Sequence, residues 1–191
     1  TIMKSHFPFF AAYDLAESLT SSAKVEIKTR LIEDGKCWPC CALDFHVVFD
    51  SSASALGDIR TSLDEVDGGG TRLHGRPYVI SDLESMPSVP GLEWARRHRW
   101  DDLLAQVAHL KEKEPSGRRR LPNSQMHDLR KALFWGRRQA DARLGLMYSR
   151  YSERGLRDLV VQERDPESGK TVPSLFWHEK AIGSDKEVHV T

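Results

Sequence analysis

The chain has 191 residues, a formal net charge of zero and ordinary fractions of apolar and charged residues. This length suits one domain, or one domain with an insertion, and is sufficient for a hydrophobic core. The neutral charge excludes a general attraction to nucleic acid or to an anionic membrane. No window holds the roughly 18 apolar residues that a membrane-spanning helix requires, so we expect no membrane span.

The neutral total hides an uneven distribution of charge along the chain. Residues 1–90 carry 8 Lys and Arg against 13 Asp and Glu, residues 91–155 carry 15 against 8, and residues 156–191 carry 5 against 7. The basic middle segment also contains several aromatic residues. Acidic residues interleave with its basic ones, which favours a solvated or docked helix face over a nucleic-acid site.

The N-terminal part of the chain predicts an extension followed by two strands. We interpret residues 1–23 as an N-terminal extension with a helical stretch. Apolar and polar residues alternate from Lys24 to Ile32, which predicts a half-buried strand. Asp34-Gly35 predicts a hairpin turn. Residues 41–49 alternate as well and predict a second strand, although an apolar helix fits the same residues.

Later predicted elements alternate between helices and short extended runs. In chain order they are a helix through Leu56, Ile59, Leu63 and Val66 capped by residues 50–52, an extended run over 76–83, a proline-rich loop over 86–91, a helix through Trp100 and Leu110, a long helix from Asn123 to Tyr151, a strand over 171–177 and a turn over 178–181.

A Cys-x-x-Cys pair, Cys37 and Cys40, follows the first predicted strand. Such a pair performs thiol–disulfide exchange, contributes to a metal site, or does neither. A helix beginning at the first thiol would stabilise its thiolate through the helix dipole. Zinc binding by the cysteines and His46 lacks a second, separated ligand pair, so we expect no metal.

The order of these motifs resembles the DsbA-like branch of the thioredoxin superfamily, which includes kappa-class glutathione transferases and 2-hydroxychromene-2-carboxylate isomerases. Four segments carry the resemblance, and they are Asp34-x-x-Cys37-Trp38-Pro39-Cys40, Arg76-Pro77-Tyr78 with the prolines up to Gly91, Leu121-Pro122-Asn123-Ser124, and Thr171-Val172-Pro173 with Gly183-Ser184-Asp185-Lys186.

The resemblance implies an α/β fold with a thioredoxin-like sheet and a helical insertion. It implies that Cys37 is the attacking thiol, that Cys40 resolves the mixed disulfide, and that Pro173 is a cis-proline that shapes the site. It also implies glutathione as a cofactor, held by the Val172 backbone, Ser184 and Asp185. Protein thiols or disulfides are the other expected partners.

The implied domain organisation is an extension over residues 1–23, a thioredoxin-like domain formed by 24–90 and 161–191, and an insertion over 91–160. The expected function is that of a thiol–disulfide oxidoreductase or a glutathione-dependent enzyme. The alternative is a non-catalytic accessory subunit of a large assembly, which docks through the N-terminal segment and the helices of 91–160. The first residue is Thr1, which suggests that an address segment was removed. We expect a mitochondrial location, with a cytoplasmic one as the alternative.

Overall fold

The structure is a computed structural model of mixed α/β class, which confirms the predicted class. The described residues are 2, 7–48, 54–64, 70–84, 89–164, 169–180 and 187–191. The described helices are α1 (Phe9–Arg30), α2 (Leu56–Asp64), α3 (Leu92–Arg97), α4 (Trp100–Lys111), α5 (Asn123–Leu133) and α6 (Arg137–Tyr151). The described strands are β1 (Ile32–Glu33), β2 (Lys36–Cys37), β3 (Ala42–Leu43), β4 (Thr71–Arg72), β5 (Tyr78–Val79), β6 (Val161–Arg164), β7 (Thr171–Ser174), β8 (Trp177–Lys180) and β9 (Glu187–Val190).

The chain divides into two compact units. The first unit comprises residues 1–62 with 75–101, and the second comprises 63–74 with 102–191. In the described residues the strands form four small sheets rather than one continuous sheet. A thioredoxin-like arrangement is therefore not evident in the strand pairing.

Helix α1 contains the helical stretch predicted within residues 1–23 and continues to Arg30, so the strand predicted from Lys24 to Ile32 was wrong over residues 24–30. The buried positions near the end of the helix are Ala23 and Ile27, followed by Leu31, so they recur every four residues. Val25, which alternation placed on the buried side of a strand, is 59% exposed. A long helix pays the cost of nucleation only once, so it propagates through a short alternating stretch.

The predicted turn at Asp34-Gly35 is confirmed. It joins β1 to β2 in an antiparallel pair, and the φ angles of Asp34 and Gly35 are 48° and 74°. Two consecutive positive φ angles are typical of a type I′ hairpin turn. The predicted strand over residues 41–49 is reduced to β3, which pairs with β5, and the alternative helix is absent from residues 41–48.

The core of the first unit lies between the end of α1, β5 and α3. Its buried residues are Ile27, Leu31, Val79, Leu83, Val89, Trp94 and Ala95. Trp38 and Cys40 pack against this core from the segment after the hairpin. The backbone N–H of Trp38 also donates to the carbonyl of Leu31 at 2.8 Å. The cysteine segment is therefore held to the core by a residue between the two thiols.

The second unit contains a helical hairpin and two small sheets. β9 pairs parallel with β4 and antiparallel with β8, while β6 pairs antiparallel with β7. The long helix predicted from Asn123 to Tyr151 is two helices, because the chain turns at Gly136, whose φ is 96°. The turn predicted over residues 178–181 was wrong at residues 178–180, which belong to β8.

Gly91 begins α3 with a φ of 87°, and a Cβ atom at this position would collide with the carbonyl oxygen of Arg30. We expect Gly91→Ala to lower the free energy of unfolding by at least about 2 kcal/mol, since the substitution adds both backbone strain and a clash. Urea unfolding measures this change.

Gly145→Ala is the matched control, because Gly145 lies within α6 and a Cβ there meets no atom within 4 Å. We expect this variant to raise the free energy of unfolding by about 0.5–1 kcal/mol, because alanine is more stable than glycine in a helix interior. Equal effects of the two substitutions would contradict the proposed close approach at Gly91.

Candidate binding groove

A groove of about 1380 Å³ lies in the first unit, between α1 and the segment of residues 37–48. The α1 side presents apolar residues at helical spacing, namely Ala12, Leu15, Ala16, Leu19, Ala23 and Ile27. The opposite wall is the irregular segment that contains the cysteines and β3. The groove is therefore a concave apolar surface, the kind of site that binds ligands or protein segments.

The wall opposite α1 is fixed by its contacts with β5 and the residues that follow it. The backbone N–H of Cys41 donates to Ser81 Oγ at 2.7 Å, and the backbone N–H of Ile80 donates to the Cys41 carbonyl at 2.9 Å. Further along, the Phe45 ring stacks on Tyr78 with a centroid distance of 6.1 Å. These contacts give the wall a defined shape although few of its residues belong to regular structure.

A buried ion pair joins the two sides of the groove. The Asp44 side chain is fully buried, and its Oδ2 accepts a hydrogen bond from Arg60 Nη2 at 2.5 Å. Arg60 also donates from Nη1 to Ser22 Oγ of α1, again at 2.5 Å. Arg60 thereby connects α1 to the opposite wall. Sequence analysis missed this cluster, because nothing in the local pattern links residues so far apart in the chain.

A second arginine lies beside this ion pair. Arg76 donates to the carbonyl of Phe45, and its guanidinium lies 5.2 Å from the centre of the Phe45 ring. Burial lowers the pKa of Arg76, and the neighbouring Arg60 lowers it further. Burial also lowers the pKa of His46, with smaller contributions from the two arginines, so His46 is neutral at pH 7.

All three cysteines line the groove. Cys37 ends β2 and is exposed, as is Cys41, whereas Cys40 is half-buried. Burial raises the pKa of the Cys40 thiol, and this effect exceeds the opposing effect of its hydrogen bond with Ser81. Residues 38–48 contain no helix, so the helix dipole considered for Cys37 is not available.

The described lining of the groove includes none of the other residues implied by the resemblance. Val172 and Pro173 belong to β7 in the second unit, opposite Glu163 and Gln162 of β6. Among the described residues the cis peptide bond is Arg76–Pro77, so the prediction that Pro173 is cis was wrong. Ser184 and Asp185 lie outside the described residues, as do the predicted cap over residues 50–52 and residues 86–88 of the proline loop.

Two lysines give the groove its charge. Lys24 and Lys28 are exposed on α1, line the groove and form no ion pair with a described carboxylate. They follow each other by one helical turn, so their ammonium groups share one face of α1. Among the described residues of the groove lining, the one carboxylate is that of Asp44, and it is already paired with Arg60. One end of the groove is therefore positively charged.

Within the described residues, no group of three His, Cys, Asp or Glu side chains is arranged to hold a metal ion. The helices of the described chain include none that is both long and apolar enough to cross a membrane. Comparison with known protein-family models and with curated proteins gives no match. The function must therefore be argued from the groove itself.

The three thiols are expected to react at different rates in the reduced native protein. At pH 8 we expect iodoacetamide to label Cys37 and Cys41 at least about tenfold faster than Cys40, because only the thiolate reacts and Cys40 is both half-buried and raised in pKa. Mass spectrometry of proteolytic peptides measures the rates.

The same labelling in urea is the control, since unfolding removes the burial that protects Cys40. We expect the three rates to become similar there. Labelling of native Cys40 as fast as that of Cys37 would show that the cysteine segment does not pack on the core as described.

Proposed function

We propose that this protein is a non-catalytic accessory subunit of a larger assembly, and that its groove holds an apolar segment of a partner protein that carries acidic side chains. The observation that carries this proposal is the groove between α1 and residues 37–48, with its apolar α1 side and two lysines that pair with no described carboxylate. This function is the accessory role that the sequence left as an alternative to an enzyme.

The dimensions of the groove favour a protein segment over a small metabolite. Its volume of about 1380 Å³ exceeds the roughly 300–1,000 Å³ typical of small-molecule pockets. The lining runs along α1 from Ala12 to Lys28, which corresponds to about 24 Å at 1.5 Å per residue. An amphipathic helix of about 16 residues has that length, and helix-in-groove binding is a common mode of peptide recognition.

The charge of the groove favours an acidic segment. Lys24 and Lys28 face any occupant, whereas the Asp44 carboxylate is buried and paired. Two acidic side chains that lie one helical turn apart in the partner would each meet one of the two ammonium groups. Exposed ion pairs contribute only about 0.2–1 kcal/mol each, so we expect charge to select the partner while the apolar contacts supply most of the affinity.

We expect an amphipathic helical peptide of about 16 residues with a leucine stripe and glutamates on its polar face to bind the protein at least about tenfold more tightly than the same peptide with lysines. Tenfold corresponds to about 1.4 kcal/mol. Fluorescence anisotropy of labelled peptides measures both affinities. Lys24→Glu combined with Lys28→Glu should reverse the preference, and Leu19→Asp should weaken both peptides.

Val25→Asp provides the matched control for Leu19→Asp, since Val25 is also on α1 but is exposed and does not line the groove. It should leave both affinities unchanged. Binding that is insensitive to Leu19→Asp, or a preference that the lysine reversal does not alter, would contradict the groove as the binding site.

A second candidate function is thiol–disulfide exchange with the bound segment, within the thioredoxin-like arrangement that the motifs resemble. The observation that favours it is the position of all three thiols in the groove lining. The Cys37 thiolate would attack a disulfide of the partner, forming a mixed disulfide and releasing one partner thiolate. Cys40 would then attack Cys37, forming the Cys37–Cys40 disulfide and releasing the second partner thiolate, so that the partner is reduced and the pair oxidised.

Oxidised glutathione tests this second function. If exchange occurs, we expect the reduced wild-type protein to form the Cys37–Cys40 disulfide, while Cys40→Ser retains one glutathione on Cys37. Intact-mass analysis after acid quenching distinguishes the two products. Cys41→Ser, which keeps the pair, should behave like the wild type.

Persistent glutathione adducts in the wild type, or adducts on Cys41 alone, would argue against exchange and leave the accessory role. Glutathione binding and the mitochondrial location stay predictions. The groove proposal depends on neither.

A further inference from the structure

The corner between α5 and α6 exposes two aromatic side chains. Phe134 is 53% exposed and Trp135 is 67% exposed. Both follow the last residue of α5 and precede Gly136, where the chain reverses direction. The inward positions nearby are filled by Ala132 and Ala140, which are buried. The small buried residues thus fix the corner, and the two large rings remain in solvent.

Two cations lie one helical turn before the two rings. Arg130 and Lys131 belong to the last turn of α5, and Phe134 and Trp135 follow directly after that turn. Both cations are exposed. Neither Arg130 nor Lys131 forms an ion pair with a described carboxylate. Two exposed cations and two exposed rings therefore lie within six residues at the end of α5, and we call these four residues the α5–α6 corner.

The nearest acidic residues on the two helices do not neutralise this corner. Asp128 accepts a hydrogen bond from Arg143 at 2.7 Å. Asp141 accepts from Arg137 at 3.2 Å and from the buried Ser174 hydroxyl at 2.8 Å. The sequence suggested a mixed face because these acids interleave with the bases. In the structure the acids are occupied by other partners, so the corner has a net positive charge.

The helix dipoles contribute little to this charge. The negative end of α5 and the positive end of α6 meet at the corner, so their fields largely offset each other. The side chains of Arg130 and Lys131 therefore set the local potential.

We propose that the α5–α6 corner binds single-stranded nucleic acid, with bases stacked on Phe134 and Trp135 and with phosphates bound by Arg130 and Lys131. Exposed rings beside cations are the two components that proteins combine to bind unpaired strands, because every base offers a face for stacking. A duplex keeps its bases stacked internally and gains nothing from the rings. The carboxylates of an acidic polypeptide satisfy the two cations, but they do not stack on the rings as bases do.

The proposal is tested with fluorescein-labelled oligouridine and oligothymidine of about ten nucleotides and with a hairpin duplex RNA of equal charge. We expect the full chain to bind either single strand at least about tenfold more tightly than the duplex. Phe134→Ala combined with Trp135→Ala should weaken binding about tenfold or more while leaving its salt dependence unchanged. Arg130→Gln combined with Lys131→Gln should reduce the slope of log affinity against log salt by about 1.4.

Arg150→Gln and Leu146→Ala are the matched controls, since both residues are exposed on α6 and lie outside the corner. Neither should change the affinity. Circular dichroism of the four corner substitutions checks that the helical hairpin is retained.

Labelled oligoglutamate with the same charge as the oligonucleotides tests whether the partner is an acidic protein and not a nucleic acid. Weaker binding of oligoglutamate that is insensitive to the aromatic substitutions supports the proposal. Binding of oligoglutamate as tight as that of the single strands, or nucleotide binding that survives the aromatic substitutions, overturns it. Retained oligonucleotide binding in the Arg130→Gln, Lys131→Gln variant with an unchanged salt slope also overturns it.

Discussion

The first unit depends on the Arg60 guanidinium, which forms bonds to both sides of the groove. One of its nitrogens donates to Asp44 on the irregular wall, and another donates to Ser22 on α1. A fully buried carboxylate is costly unless it is paired, so Asp44 requires this arginine. Satisfying this one charge therefore links α1 to the wall, in addition to the packing of Trp38 and Cys40 on the core.

The surroundings of the Cys-x-x-Cys pair bear on whether its thiols are reactive. A Cys-x-x-Cys pair is reactive when its surroundings favour the thiolate, usually through a helix N-terminus or a neighbouring cation. Here the hairpin β1–β2 leads into an irregular segment, and burial raises the pKa of Cys40. The segment contributes Trp38 and Cys40 to the core and the remaining surface to the groove. The geometry of this segment fits a wall of the groove better than it fits a redox centre in which a helix N-terminus activates the thiol.

The distribution of charge shows why counts of acidic and basic residues along a sequence are a weak guide to the net charge of a particular surface. The basic segment of residues 91–155 carries eight acidic residues, enough to suggest a neutralised face. Pairing decides which charges remain: Asp128 is bound to Arg143, and Asp141 is bound to Arg137 and Ser174. Arg130 and Lys131 remain, close in sequence to two exposed rings. The α5–α6 corner is therefore more basic than the average composition of residues 91–155 suggests.

The sequence by itself determined the features that depend on neighbouring residues. The turn at Asp34-Gly35 follows from the ease with which these residues adopt positive φ, and α4 follows from its apolar spacing. These features need no knowledge of the rest of the chain.

Tertiary structure decided the features that depend on distant partners. Alternation from Lys24 to Ile32 fitted a strand, but α1 and the residue after it bury Ile27 and Leu31 in a core that includes Trp94. The pairing of Asp44 with Arg60 spans 16 residues and leaves no periodic signal. Burial and long-range pairing are properties of the folded chain, so the groove and its electrostatics could not be predicted from the sequence.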